Sequence, residues 1–350
     1  MRTLPLGLLL SFLPFLCSCA AGGEVRLQVI ELTSPTTASL RGVSAVSANI
    51  AWVSGSGGTC LRTLDGGHTW LDVGPPQARG RELRDVHAFD ALQAVVMASA
   101  SPALLLRTSD GGSTWRVAWR DDHPLAFLDA IDFVDSADGF AFGDPIEGRF
   151  LTLRTRDGGE SWQRTAPAPA PRPGEVAFAA SGSCVEVLSG GDVLIATGGG
   201  PVARVLRGED LGARWRFHTT PVRAGTPSRG AFSIAMHGRR GIVVGGDYAA
   251  QGDSLANVAV SDDGGETWRA PSGTPPRGYR SAVAFVPGTG GRVAVAAGDT
   301  GLDVSYDGGE SWQPLDERGF QALSFAPDGT GYAVGREGRI ARLVPERFEP

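Results

Sequence analysis

Lysine is absent from this chain: all 32 of its cationic side chains other than histidine are arginines. That removes every chemistry that needs an ε-amine, including the P-loop lysine, a pyridoxal Schiff base and a lysine general base. Histidine is scarce and scattered. His68, His87, His123, His218 and His237 stand singly, without the spacing of a metal-ligand set. There is no basic excess either; a formal net charge of −6 argues against a general nucleic-acid binder. Of four cysteines, only Cys60 and Cys184 fall within the repeats defined below. They belong to different repeats, so two buried thiols are expected and not a disulfide. No G-x-S-x-G elbow occurs, and Gly198-Gly199-Gly200 lacks the strand–helix setting of a dinucleotide fingerprint. Asp262-Asp263-Gly264-Gly265-Glu266 lacks the twelve-residue ligand order of a calcium loop. No cofactor and no metal are therefore expected.

What the chain has in plenty is glycine, 50 residues, and proline, 23, yet 42% of its residues are apolar. Many tight turns between many short buried strands satisfy both facts. The longest apolar run, Leu4 to Leu16 behind Arg2, is too short for a membrane-spanning helix and reads as an export signal over residues 1–18. Leu16-Cys17-Ser18-Cys19 matches a bacterial lipobox with Cys19 as the acylated residue, while Ala20 and Ala21 also permit ordinary signal cleavage. Residues 19–24 would then be a short tether. The expected location is the periplasm, with a lipid anchor to the membrane through Cys19.

An octet recurs along the remainder. Thr63-Leu-Asp65-Gly-Gly67-His-Thr69-Trp70 is followed by copies ending at Trp115, Trp162, Trp268 and Trp312, with a degenerate copy from Gly208 to Trp215. The tryptophans are 45, 47, 53, 53 and 44 residues apart, the length of one four-stranded propeller blade. This is the Asp box, with Asp65, Asp110, Asp157, Asp210, Asp263 and Asp307 placed to accept amide hydrogens inside a tight turn. The boxes are scaffold. Seven sets of apolar strands accompany the six boxes, the last lacking an outer strand that Val25 to Leu32 can supply. The predicted fold is all-β: one seven-bladed β-propeller over residues 25–350, four strands to each blade, its last blade closed by the N-terminal strand. The proline-rich segment 165–173 reads as a surface connection between blades three and four.

The repeated R-T-x-D-G-G-x-T/S-W pattern and the strand pair Gly331 to Ile340 resemble the photosystem II stability/assembly factor propellers and their bacterial relatives, over essentially the whole chain past the leader. That resemblance implies a non-catalytic binding scaffold with an arginine-rich face involved; the expected partner is another envelope or membrane protein, and the propeller is expected to act as a monomer. In such a ring the starts of first strands and the ends of second strands meet at one mouth of the channel, opposite the Asp boxes. The candidate binding residues there are Arg41, Arg84, Asp129, Asp144, Glu175, Asp247, Tyr248, Tyr279 and Arg280. Guanidinium forks among them suit an acidic or polar group; the plainer alternative is a set of salt bridges stitching blades together. A sialidase-like glycoside hydrolase acting on an acidic glycan is the competing function, since Arg41, Arg84, Arg280, Glu175, Asp129 and a tyrosine supply its residue types. Against it, sialidases have six blades and a Phe-Arg-Ile-Pro motif, which this sequence lacks.

Overall fold

The computed structural model describes residues 24–348, so Cys19 and the leader lie outside the described residues. The described chain folds into seven antiparallel sheets. Each blade runs from the channel outwards, as in blade two: Leu83–Ala88, Ala94–Ala98, Ala103–Thr108 and Arg116–Asp121. The seventh blade comprises Ala322–Phe325, Gly331–Val334 and Ile340–Phe348, with Glu24–Leu32 added at its outer edge. Nine residue pairs join the two terminal strands, from Glu24 with Phe348 to Leu32 with Ile340. The ring is therefore closed by hydrogen bonds, which leaves no open strand edge at its seam.

The Asp boxes are alike because the same bonds recur. In the third box Thr155 Oγ1 donates to Asp157 Oδ1 at 2.7 Å and accepts from the Gly159 amide at 3.0 Å. Asp157 also accepts from the Ser161 amide at 2.9 Å and from the Ser161 hydroxyl at 2.6 Å. Boxes one, two, five and six of the series repeat this pattern. The degenerate box departs from it: Asp210 has φ +48° and faces only Arg156, at 3.7 Å. Each box tryptophan wedges between neighbouring sheets, Trp162 edge-on to Phe133 at 5.5 Å and Trp115 edge-on to Trp52 at 6.4 Å. Seven apolar clusters result, and Cys60 and Cys184 are free, buried thiols within two of them.

Two blades differ from the expected pattern. Blade five has three strands, Arg229–His237, Arg240–Asp247 and Val258–Ser261, and its outer edge shrinks to one bridge between Val260 and Arg269. Pro271, Pro275 and Pro276 follow; without amide hydrogens they cannot extend a ladder. In blade four the apolar run from Val176 to Ala180 reads as the first strand. Only Val176 bridges Gly198; the chain then leaves the sheet and re-enters as Val185–Val187. The intervening segment crosses the channel. Ala179 O accepts from Arg84 of blade two at 3.0 Å, Ser181 donates to Ser281 O of blade six at 2.7 Å, and the Ser183 and Ser233 hydroxyls meet at 2.7 Å. Gly182, at φ +75°, sits so close to Asp85 that a Cβ there would lie 2.1 Å from its Oδ1. This plug divides the channel into two cavities, residues 176–180 lining one and 181–183 the other.

Candidate functional site

A cavity of about 480 Å³ opens at the mouth formed by first-strand starts and second-strand ends, and no Asp-box residue lines it. Its floor is set by backbone irregularity. The first strands of blades one, two, three and five each carry a bulge, and the extra residues are Arg41, Arg84, Asp129 and Phe232. A bulged residue falls out of the pleat alternation, and all four line the cavity. The plug contributes Phe178, blade six Ser281 and blade seven Gln321, so every blade sends one side chain inwards.

Six of the nine candidate residues are brought together here: Arg41, Arg84, Asp129, Asp144, Tyr248 and Tyr279. The other three are not. Glu175 is buried inside blade four, where Arg204 Nε and Thr197 Oγ1 each donate to its Oε1 at 2.7 Å. Asp247 takes Arg229 Nε at 2.8 Å and the Ala249 amide at 2.9 Å. Arg280 has no exposed surface; its Nε donates to Asp303 Oδ2 at 2.9 Å, and its Nη1 donates to Tyr279 O at 2.8 Å and to Thr300 Oγ1 at 2.9 Å. The reason is register. Ser281, not Arg280, occupies the position equivalent to Arg41, and one step along a strand turns a side chain to the other side of the sheet. Arg41, Arg84 and Arg280 therefore do not converge as the sialidase alternative requires.

Residues that sequence reasoning passed over complete the wall. Asp299 and Arg336 stand just past their second strands and Asp144 within the last residues of its own, each directly after a glycine, and that repeated position was the available signal. Arg336 Nη2 donates to Asp299 Oδ2 at 2.9 Å, and Gln251 and Gln321 donate to the same carboxylate at 3.0 and 3.2 Å. Phe178 and Phe232 stack at 3.8 Å, with Tyr279 edge-on to Phe232 at 4.8 Å. The glycines of 198–200 serve close approach: a Cβ on Gly198 would lie 2.5 Å from Gly230 Cα of the next blade.

Charge in the cavity is unevenly satisfied. Arg41 Nε and Arg84 Nε are buried without hydrogen-bond partners. Burial, then the charges of Arg84 and Arg336, lower the Arg41 pKa. On the blade next to Arg84, burial and then the charge of Asp144 push the Asp129 carboxyl well above the usual range against the opposing charge of Arg84, and burial raises Asp144 to about 6. An arrangement of desolvated guanidinium and carboxyl groups over an aromatic wall can bind a polar segment from both sides of its charge. Among the described residues no group of three or more His, Cys, Asp or Glu side chains is placed to hold a metal ion.

The BNR/Asp-box repeat family matches residues 259–270, the box of blade five. Among solved structures, YCF48 bound to D1 peptide is 20% identical, with a TM-score of 0.63 over 91% of this chain and 97% of that one. The chain is a seven-bladed Asp-box propeller with the fold of YCF48. YCF48 from Cyanidioschyzon merolae is similar at 17% identity, TM-score 0.65, over 90% and 98% of the two chains. The GH74 xyloglucanase from Xanthomonas campestris also matches, at 15% identity and TM-score 0.62, over 90% of this chain but 53% of that enzyme. No curated protein matches the sequence.

Proposed function

We propose that this YCF48-like propeller is an exported, non-catalytic binding module that takes a segment of another envelope protein into its channel mouth. The observation that carries this reading is the pair of buried Nε atoms of Arg41 and Arg84 that make no hydrogen bond, over an aromatic wall, with only Glu82 3.9 Å from the Nε of Arg84. A partner's acidic side chain or terminal carboxylate would bond to them. The likeness to a propeller bound to a peptide supports the same use of the fold. Leu125 and Leu255, each 64% exposed, and Tyr248, 48% exposed, stand on the connections that supply the cavity rim and offer apolar contact around it. Anchoring through Cys19 would hold a single propeller at the membrane beside its partner.

The test is retention of membrane proteins on the immobilised chain, with Arg41→Ala as the site variant. Loss of a retained protein by roughly tenfold or more, with unchanged melting, supports the reading. Equal retention by wild type and Arg41→Ala contradicts it.

The hydrolase reading has one observation behind it, two acidic residues in one cavity with raised pKa values. The matched xyloglucanase is nearly twice the length of this propeller. Release of reducing sugar from xyloglucan by the purified chain, abolished by Asp144→Asn, would establish that reading instead.

A further inference from the structure

Elsewhere among the described residues, the fully buried carboxylates are bonded. Asp85 accepts from the Val86 and Ile131 amides, each at 2.8 Å; Glu175 is held by Arg204, Asp247 by Arg229 and Asp303 by Arg280. The pair in the mouth cavity is the exception. Both oxygens of Asp129 and Oδ1 of Asp144 are buried without a close hydrogen-bond partner; only the Ala179 amide and the charge of Arg84 ease the Asp129 carboxyl, and only the Ala177 amide that of Asp144. Asp129 has no exposed surface, whereas Asp144 is half-buried and shows part of itself to the cavity. Arg84, the cation whose charge acts on Asp129, spends its Nη1 on Ala179 O, and its Nε has no hydrogen-bond partner. Leaving carboxylates unsatisfied costs stability, so a fold that bonds its other buried acids leaves these two open to something that arrives.

The same wall carries Phe178 stacked on Phe232, with Tyr248 edge-on to both at 6.5 and 6.1 Å. Such a surface suits the alkyl stem of a long cationic side chain and favours its charged head. We propose that Asp129 and Asp144 form the receptor for one lysine side chain of the partner, its ammonium against Asp144 and its stem along Phe178 and Phe232. This rests on the reading of the mouth as a protein-binding site and adds the partner's charge pattern: a cation here, an anion at Arg41 and Arg84. A second copy of this chain is not the source, because the sequence holds no lysine.

Proton linkage follows. The empty pair holds its proton to higher pH than an ordinary carboxylate because burial raises both groups. An arriving ammonium displaces that proton. The charged and titratable groups around the pair are Arg84 and Glu82 from blade two, Arg41 from blade one and Cys184 at the end of the plug. Cys184 is itself pushed well above the ordinary thiol range by burial.

Isothermal titration of the purified protein with Nα-acetyl-lysine-N-methylamide tests this, with the norleucine and arginine analogues as comparators. At about pH 7.5 the lysine probe should bind roughly tenfold or more tightly than norleucine, and its heat should vary with the buffer's ionisation enthalpy as a proton is released. At about pH 5 the preference should collapse. Asp144→Asn and Asp129→Asn should each abolish the preference, and Asp144→Asn should do so without lowering the melting temperature, since its carboxyl reaches the cavity and only the Ala177 amide favours its charge. Equal binding of lysine and norleucine overturns the proposal, as does tighter binding of the arginine analogue. A melting loss in Asp129→Asn with no lysine preference in wild type also overturns it and makes the pair part of the scaffold. Arg41→Ala separates the two readings: it should lose the partner yet keep the lysine preference, so a missing preference beside an intact Arg41 effect defeats only this inference.

Discussion

Arg280 and Arg41 sit at nearly the same height in their blades, one register step apart, and that step predicts opposite responses to substitution. Arg280→Met keeps the side chain's bulk but removes the donors to Asp303, Tyr279 O and Thr300. Asp303, also without exposed surface, then keeps only Arg277, whose Nε reaches its Oδ1 at 2.8 Å and whose amide reaches its Oδ2 at 2.8 Å. Breaking a buried pair commonly costs about 3–5 kcal/mol. Because Arg277 still neutralises the carboxylate, the expected loss is somewhat smaller, about 2–4 kcal/mol. For a domain of this size that lowers the melting temperature by roughly 3–6 °C. Arg41→Met removes a guanidinium whose Nε has no partner and which is opposed by Arg84 and Arg336. Its melting temperature should hold or rise. Thermal unfolding of both variants, with partner retention measured on the same samples, checks the pair of outcomes. Melting of Arg280→Met like wild type, or a loss of stability in Arg41→Met as large as in Arg280→Met, would refute these two placements.

Asp157→Ala removes three hydrogen bonds at an exposed turn, where water replaces part of the loss, so it should cost about 1–2 kcal/mol. Asp210→Asn keeps the residue type that tolerates φ +48° and loses only a 3.7 Å surface pair, so chemical denaturation should detect about 0–0.5 kcal/mol. Stability should rise as pH falls from 8 towards 5, because the raised carboxyls Glu186 (to about 8) and Asp132 and Asp144 (each to about 6) bind protons more readily folded than unfolded. The lowering of His87 to about 4 by burial opposes this below its ordinary value, but as one group against three. Below about pH 4 the sign reverses: Asp65 and Asp263 are held at about 2, first by the Thr69 and Thr267 hydroxyls, so their stabilisation is lost as pH falls through that value. A melting temperature that falls steadily from pH 8 to 5 would contradict this assignment. Cys19→Ala should move the protein from the membrane to the soluble fraction and abolish lipid labelling; unchanged fractionation would favour simple secretion.

The ring was legible because the Asp box announces itself: its Asp, glycines and Trp are tied to one turn geometry, so their spacing counts the blades. The closing strand was legible from the gap in the seventh set. The plug was not, because Val176-Ala-Phe-Ala-Ala180 reads as a continued apolar strand, and only its contacts with Arg84, Ser233 and Ser281 draw it across the channel. Arg280 was misplaced for a related reason. Strand patterning locates an edge to within a residue, and a one-residue error exchanges the channel for the blade interior. Phe232 carried no polar label, although its bulge places it beside Arg41, Arg84 and Asp129.

The central claim is that the partner enters the plugged mouth and not the Asp-box face. Hydrogen–deuterium exchange on the chain with and without its retained partner tests that directly. The account predicts protection confined to the connection at 122–127, the plug at 176–184 and the loop at 247–257, with the box turns unchanged. Protection at the box turns around Asp65, Asp110 or Asp157, with the plug exchanging as in the free protein, would contradict it.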